Sequence, residues 1–269
     1  MSAHIKKPLN EIVESLGHAI RSKQDAKNQP NTFIDTIENN QVTKSNALAR
    51  ACYRYSLVEK RVIETLISRI NPLSRDIKQL KDIELNAIEY ASMFDLGVDL
   101  AYKQLSEAVD GLLSKTITIK QETYTHKFPL MSEARYIERE GRITCSFNTH
   151  SICHLIGLRE AFTTYPLCSA REFSSAYSWR LYELIMSWSK NERDGKGKKD
   201  SGWFAIGVED LRDAMGVPIS YKWSHFQDQI LETAIKEIKQ HAGIIVSITR
   251  KKSGRKISEL KIEFKQGPK

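Results

Sequence analysis

Apolar positions along the 269-residue chain recur first at helical spacing, then in alternation, and then go through the same order again. Ser56 and Glu59 form a capping-box pattern, in which each side chain satisfies the other residue's free backbone N–H. Val62, Ile63, Leu66, Ile67 and Ile70 then trace one helical face, and Asn71-Pro72 stops it. A short helix is predicted over Ala87 to Phe94, with Tyr90, Met93 and Phe94 at i, i+3, i+4. Asp95-Leu96-Gly97 makes the turn into a third helix, whose face carries Val98, Tyr102, Leu105, Val109, Leu112 and Leu113. Thr116 to Lys120 alternates as a strand, and a hairpin is predicted from Ala134 through Glu140-Gly141 to Phe147.

The second pass begins with a helix predicted from Ser169 to Ser189, carrying Tyr177, Leu181, Leu184, Ile185 and Trp188 on one face. Asp194 to Ser201 reads as a polar, glycine-containing loop, and Trp203 to Val208 as a short strand. Leu211, Ala214 and Met215 repeat the short-helix spacing, and Gly216 ends it. Trp223, Phe226, Ile230, Ala234, Ile235 and Ile238 line a long helix. Two alternating runs follow, Ile244-Val246-Ile248 and Leu260-Ile262-Phe264, with Ser253-Gly254 as their turn. The order of helix, short helix, turn, long helix and hairpin therefore occurs twice. It predicts a helix-rich α+β chain with two tandem winged-helix domains, spanning 46–155 and 156–269. Order is expected from about Tyr55, after a flexible arm over 1–45 in which Leu9 to Ile20 could form a short amphipathic helix.

Charge changes this picture from a fold to a chemistry. The formal net charge is +8, which favours polyanionic partners. It is concentrated where the second hairpin turns: Arg250, Lys251, Lys252, Arg255 and Lys256 hold five cations within seven residues, with no anion among them. Such a tip grips phosphates and carries little sequence information. The long helix just before it offers Lys222, Ser224, His225, Gln227 and Gln229 at and near its N-terminal end, the end that enters the major groove in a helix-turn-helix. Gln pairs bidentately with adenine and Lys reads guanine. In the first unit the equivalent positions are Asp99, Tyr102, Lys103 and Gln104, which are less basic. That unit is expected to add less affinity, or to share its surface with a protein partner.

Other chemistries find little support. The glycine- and lysine-rich stretch Gly195 to Gly202 lacks the spacing of a phosphate-cradling Walker loop. Cys145, His150, Cys153 and His154 have the ligand types for zinc in the wrong order, and Cys145 alternates with Ile143 and Phe147 as a core residue does. No metal, cofactor or catalytic residue is assigned. No apolar run approaches the ~20 residues of a membrane span, and no secretory segment opens the chain, so a cytoplasmic protein with reduced cysteines is expected.

Trp203 to Pro218, Tyr221 to Phe226 and Leu231 to Ile238 together resemble the C-terminal half of theta-type plasmid replication initiators. Ser174 to Leu184, with its Tyr182-Glu183 pair, and Asn46 to Arg61 are similar to the same family. The resemblance covers roughly 45–265. It implies two winged-helix domains straddling a repeated origin sequence, the iteron. It also implies monomers that initiate replication and dimers that repress their own gene at an operator. The host replication initiator and replicative helicase are the implied partners. The chain departs from the family at Gln227, Asp228 and Gln229, a stretch often rich in arginine there. The competing expectation is a dedicated winged-helix transcriptional regulator without initiator activity. Direct repeats beside the gene favour the former and a lone inverted repeat the latter.

Overall fold

The computed structural model describes residues 40–194 and 197–267. The helix expected over Leu9 to Ile20 lies outside them. Regular structure is present well before Tyr55: β1 (Gln41–Ser45) leads into a single turn, α1 (Asn46–Ala49), capped by Ser45. In α2 (Leu57–Ser68) the expected capping box is formed. Ser56 Oγ accepts from the Glu59 amide at 3.2 Å, and Glu59 Oε2 accepts from the Ser56 amide at 2.6 Å. β2 (Ile83–Asn86) precedes α3 (Ala87–Phe94), which has the predicted bounds and ends at Asp95 in the left-handed region, φ 51°. α4 (Val98–Ser114), β3 (Thr116–Lys120), β4 (Thr125–Pro129), β5 (Met131–Ile137) and β6 (Arg142–Phe147) follow. The short α5 (Ile152–Leu155) then leads to β7 (Phe162–Pro166). β4 pairs with β3, and β7 with β1, both antiparallel. Neither pairing shows in the apolar pattern, because Thr-His-Lys-Phe-Pro of β4 buries only Phe128.

The second unit opens with α6 (Ala176–Met186), shorter than the helix predicted from Ser169 to Ser189. Ser175 caps it, accepting from the Tyr177 amide at 3.1 Å, and Leu167–Ser169 forms a separate 3-10 turn. Ala170 and Phe173, within the stretch expected to be helical, are buried without belonging to the helix. β8 (Lys190–Asp194) and β9 (Gly197–Gly207) form a hairpin across the stretch expected to be a loop. α7 (Val208–Met215) ends at Gly216, φ 70°. The long helix begins as α8 (Trp223–His225), widens into π-helix over Phe226–Leu231 and continues as α9 (Glu232–Ala242). β10 (Ile244–Ser253) and β11 (Lys256–Gln266) close the chain's described part, turning at Gly254, φ 60°.

The two units repeat in topology as well as order. In each, the strand before the short helix pairs with the second strand of the later hairpin: β2 with β6, placing Leu85 opposite Ile143, and β9 with β11, placing Ile206 opposite Leu260. The sheets run β2-β6-β5 and β10-β11-β9-β8. Both are thus a helix-turn-helix backed by a three-stranded wing sheet, with β8 as an added edge. One apolar core runs through both units, from Val62 and Leu66 through Tyr165 and Trp179 to Leu211 and Phe226.

A polar joint holds the units together. Arg180 of α6 donates from Nε to the Ala214 carbonyl at 3.0 Å and from Nη2 to the Ala51 carbonyl at 2.7 Å. Arg54 Nε donates to the Gly216 carbonyl at 2.8 Å, and Lys120 of β3 pairs with Asp213 of α7 at 2.8 Å. Gly216 has two reasons to be glycine. Its backbone is left-handed, and a Cβ there would sit 2.5 Å from the Tyr53 carbonyl oxygen. Gly216→Ala is therefore expected to cost at least about 1–3 kcal/mol, read as a lower urea midpoint at unchanged m-value.

Candidate nucleic-acid interface

The turn of the second helix-turn-helix is braced from below by Arg212, a residue that charge patterning alone does not single out. It is buried on α7, donates from Nη1 to the Tyr221 carbonyl at 2.8 Å, and lies 4.9 Å from the Phe226 ring centroid. One side chain thus fixes both the residue before Lys222 and the first core anchor of the long helix. Lys222 occupies the N-cap position and is exposed, and no side chain caps the first turn. The opening amides therefore remain available to an anion. Ser224, His225 and Gln229 are exposed, and His225 is held edge-on to the Tyr221 ring at 4.4 Å. Gln227 is half-buried within the π-helical stretch, its amide donating to Asp228 Oδ1 at 3.0 Å. That widened turn rotates later side chains away from where a regular 3.6-residue period would put them. No sequence signal marked it.

The β10–β11 hairpin carries Arg250, Lys251, Lys252, Arg255 and Lys256, all exposed. A register shift between Lys251 and Lys252 kinks the wing just before its Gly254 turn. Among the described residues only Lys251 of the five meets a carboxylate, Glu259 at 3.4 Å, so the tip keeps most of its charge for an external anion. The fold places this tip and the start of the long helix in one unit, joined through α9 and β10. Such an arrangement can hold a duplex by its phosphates while presenting amide, hydroxyl and imidazole groups to base edges.

The first unit presents different chemistry at the equivalent places. Lys103 is exposed but paired along α4 with Glu107 at 3.8 Å, and Gln104 Oε1 accepts from the Tyr90 hydroxyl at 3.0 Å. Tyr102 is half-buried, its ring filling the space where a Gly141 side chain would stand. The helix begins with exposed Val98, Asp99 and Leu100, and the β5–β6 turn exposes Glu138, Arg139 and Glu140. Neither the helix start nor the wing tip of this unit has the cation density of the second.

The cysteine and histidine residues weighed for a metal are dispersed by the fold. Cys145 is buried in β6, whereas Cys153 is exposed. His150 lies edge-on to His126 at 5.2 Å, and His154 stacks on Phe128 at 6.1 Å. His154 Nδ1 also lies 2.8 Å from Ser45 Oγ. Among the described residues, no three His, Cys, Asp or Glu side chains are grouped to hold a metal ion. No helix among them is long and apolar enough to cross a membrane.

Residues 41–186 match the family model described as Initiator Replication protein, WH1, and residues 207–264 match the one described as Initiator Rep protein, WH2. The chain is 27% identical over 268 residues to the PI protein of Escherichia coli, covering 86% of this chain and 85% of that one. It is 23% identical over 147 residues to a replication initiation protein of Escherichia coli, covering 54% and 46%. Among solved structures it is similar to a Pi initiator protein crystallised with iteron DNA. The TM-score is 0.65 at 26% identity, covering 86% of this chain and 99% of that one.

Proposed function

The chain belongs to the initiator replication protein family, with its two winged-helix domains, and from that premise we propose that it is an iteron-binding plasmid replication initiator. The observation that carries this reading is the Pi initiator complex with iteron DNA, whose whole fold this chain shares across both units. In the proposed mode the long helix of the second unit enters the major groove from its Lys222 end. Lys222, Ser224, His225, Gln227 and Gln229 supply the base-edge contacts. The wing cations Arg250, Lys251, Lys252, Arg255 and Lys256 neutralise phosphates alongside. Lys103 and Gln104 of the first unit are already engaged by Glu107 and Tyr90. They contribute less to affinity, or leave that surface to a protein partner.

The proposal extends to the wider cycle. Monomers on tandem iterons start replication with the host initiator and replicative helicase, and dimers at an operator repress the gene. Footprinting on DNA flanking the gene tests the reading directly: protected direct repeats are expected, whereas a single inverted repeat would favour a regulator instead. Gln227→Ala is expected to relax base preference at one position of the repeat, by about 1–3 kcal/mol, measured by competition among single-base variants. No catalytic step is required of the protein. Incubated with supercoiled origin plasmid and divalent metal, it is expected to leave the plasmid uncut, and nicked circles would make it an enzyme.

A further inference from the structure

At the joint between the two units lies a pocket of about 400 Å³, outside the surface assigned to base reading. Its lining includes Tyr53, Arg54, Tyr55, Lys115, Tyr177 and Arg180. Three independent features give it an anion's chemistry. The first is the ion cluster at its floor. Lys44, Lys60 and Arg180 are buried against Glu64 and Glu183, so three cations face two carboxylates. Lys115, nearby, is already matched by Glu59. A buried charge in excess of its partners is costly, and a counter-ion in the adjoining space relieves it.

The second feature is Arg54 on the rim. Its Nε is committed to the Gly216 carbonyl, which fixes the guanidinium plane. Among the described residues its terminal amino groups have no other partner, leaving them for the two-pronged grip that suits phosphate oxygens. The third is Tyr55, whose hydroxyl is buried without a hydrogen-bond partner. Native proteins rarely leave such a group unpaired, and an entering acceptor supplies what it lacks. The pocket borders the end of α7, the short helix before the reading helix, through Met215. Arg54 holds the Gly216 carbonyl, where α7 ends and the turn toward Lys222 begins.

We propose that this pocket binds a phosphate group and that its occupation is coupled, through the Arg54–Gly216 bond, to the position of the Lys222 end of the long helix. The phosphate can come from a free ligand, inorganic phosphate or a nucleotide, or from the backbone of bound DNA. The second source rests on the DNA-binding reading above.

The full-length chain is the material for the test. Thermal unfolding is followed in sodium phosphate and then ATP, each against sodium chloride at matched ionic strength. Duplex affinity is measured from low to high salt. A free ligand raises the unfolding midpoint of the native chain in proportion to its occupancy, and Arg54→Ala abolishes that rise. A backbone phosphate leaves the midpoint unmoved, but Arg54→Ala flattens the log–log salt slope for DNA by about 0.9. Arg54→Lys keeps the charge without the fork and should recover little of either effect. Tyr55→Phe removes an unpaired hydroxyl, so it should fold at least as well as the native chain while weakening whichever response is seen. The proposal fails if the native chain shows no phosphate- or ATP-dependent shift and the Arg54→Ala slope is unchanged. It fails equally if a shift survives in Arg54→Ala. Wing variants run alongside separate the two ideas: if they lose slope while Arg54→Ala keeps it and the native chain shows no phosphate or ATP shift, the pocket is refuted and DNA binding stands.

Discussion

Replacing Glu183 with glutamine is expected to cost about 3–5 kcal/mol of folding stability, the range for breaking a buried ion cluster from one side. Glu183 is fully buried on α6. It accepts from Lys44 Nζ at 2.5 Å, Lys60 Nζ at 2.9 Å and the Tyr53 hydroxyl at 2.9 Å, and also pairs with Arg180. Glutamine keeps the shape but removes the charge, leaving Lys44, Lys60 and Arg180 against Glu64 alone. The same group sets an acid dependence. Burial by itself would raise the carboxyl, but Lys44, Lys60 and Arg180 override it and hold Glu183 well below the usual carboxylate range. A depressed folded-state value means the unfolded chain binds the proton more readily. The stabilisation is therefore present above the unfolded value of about 4.3 and is lost as pH falls through the range beneath it. Urea midpoints measured from neutral pH downward check both statements. The native chain should lose stability over that acid range, and Glu183→Gln should start low and lose less. A cost under about 1 kcal/mol would mean that the three cations are compensated elsewhere.

Removing all five wing cations together, as R250A, K251A, K252A, R255A and K256A, should flatten the log–log salt slope of DNA binding by up to about 4.5. Lys251→Ala or Arg255→Ala alone should flatten it by about 0.9. These effects are expected to be equal on iteron and unrelated DNA, because phosphate contacts position the protein without reading sequence. Folding stability should hardly change, since all five side chains are exposed and only Lys251 among them meets a carboxylate within the described residues. An unchanged salt slope in the five-fold variant would take the wing off the DNA and overturn the interface proposed for it.

Where the sequence alone succeeded, the information was local. The Ser56–Glu59 capping box, the bounds of α3, the Gly216 helix end and the alternation of β10 and β11 each depend on residues a few positions apart. Where it fell short, the cause was a contact between distant residues. β1 exists because it pairs with β7 across more than a hundred residues, and the stretch before Ala176, expected to be helical from Ser169, instead packs Ala170 and Phe173 into the same core from irregular backbone. The interface divides the same way. The wing cations and the polar end of the long helix could be seen as charge and amide patterns. The brace from Arg212, the half-burial of Gln227 in a π-helical turn and the tying of Gln104 to Tyr90 could not, since each depends on which side chain folding brings alongside.

By itself, the sequence determined the kind of protein this is. Two passes of helix, short helix, turn, long helix and hairpin, with five cations at the last tip, specify paired winged helices and a wing dense in positive charge, because periodicity and charge are carried by neighbouring residues. Only the tertiary structure decided how the two units are joined. Lys44, Lys60, Glu64, Arg180 and Glu183 look like ordinary surface charges in the sequence, yet they are buried together in one ion cluster, because burying a charge is tolerable only beside its opposite.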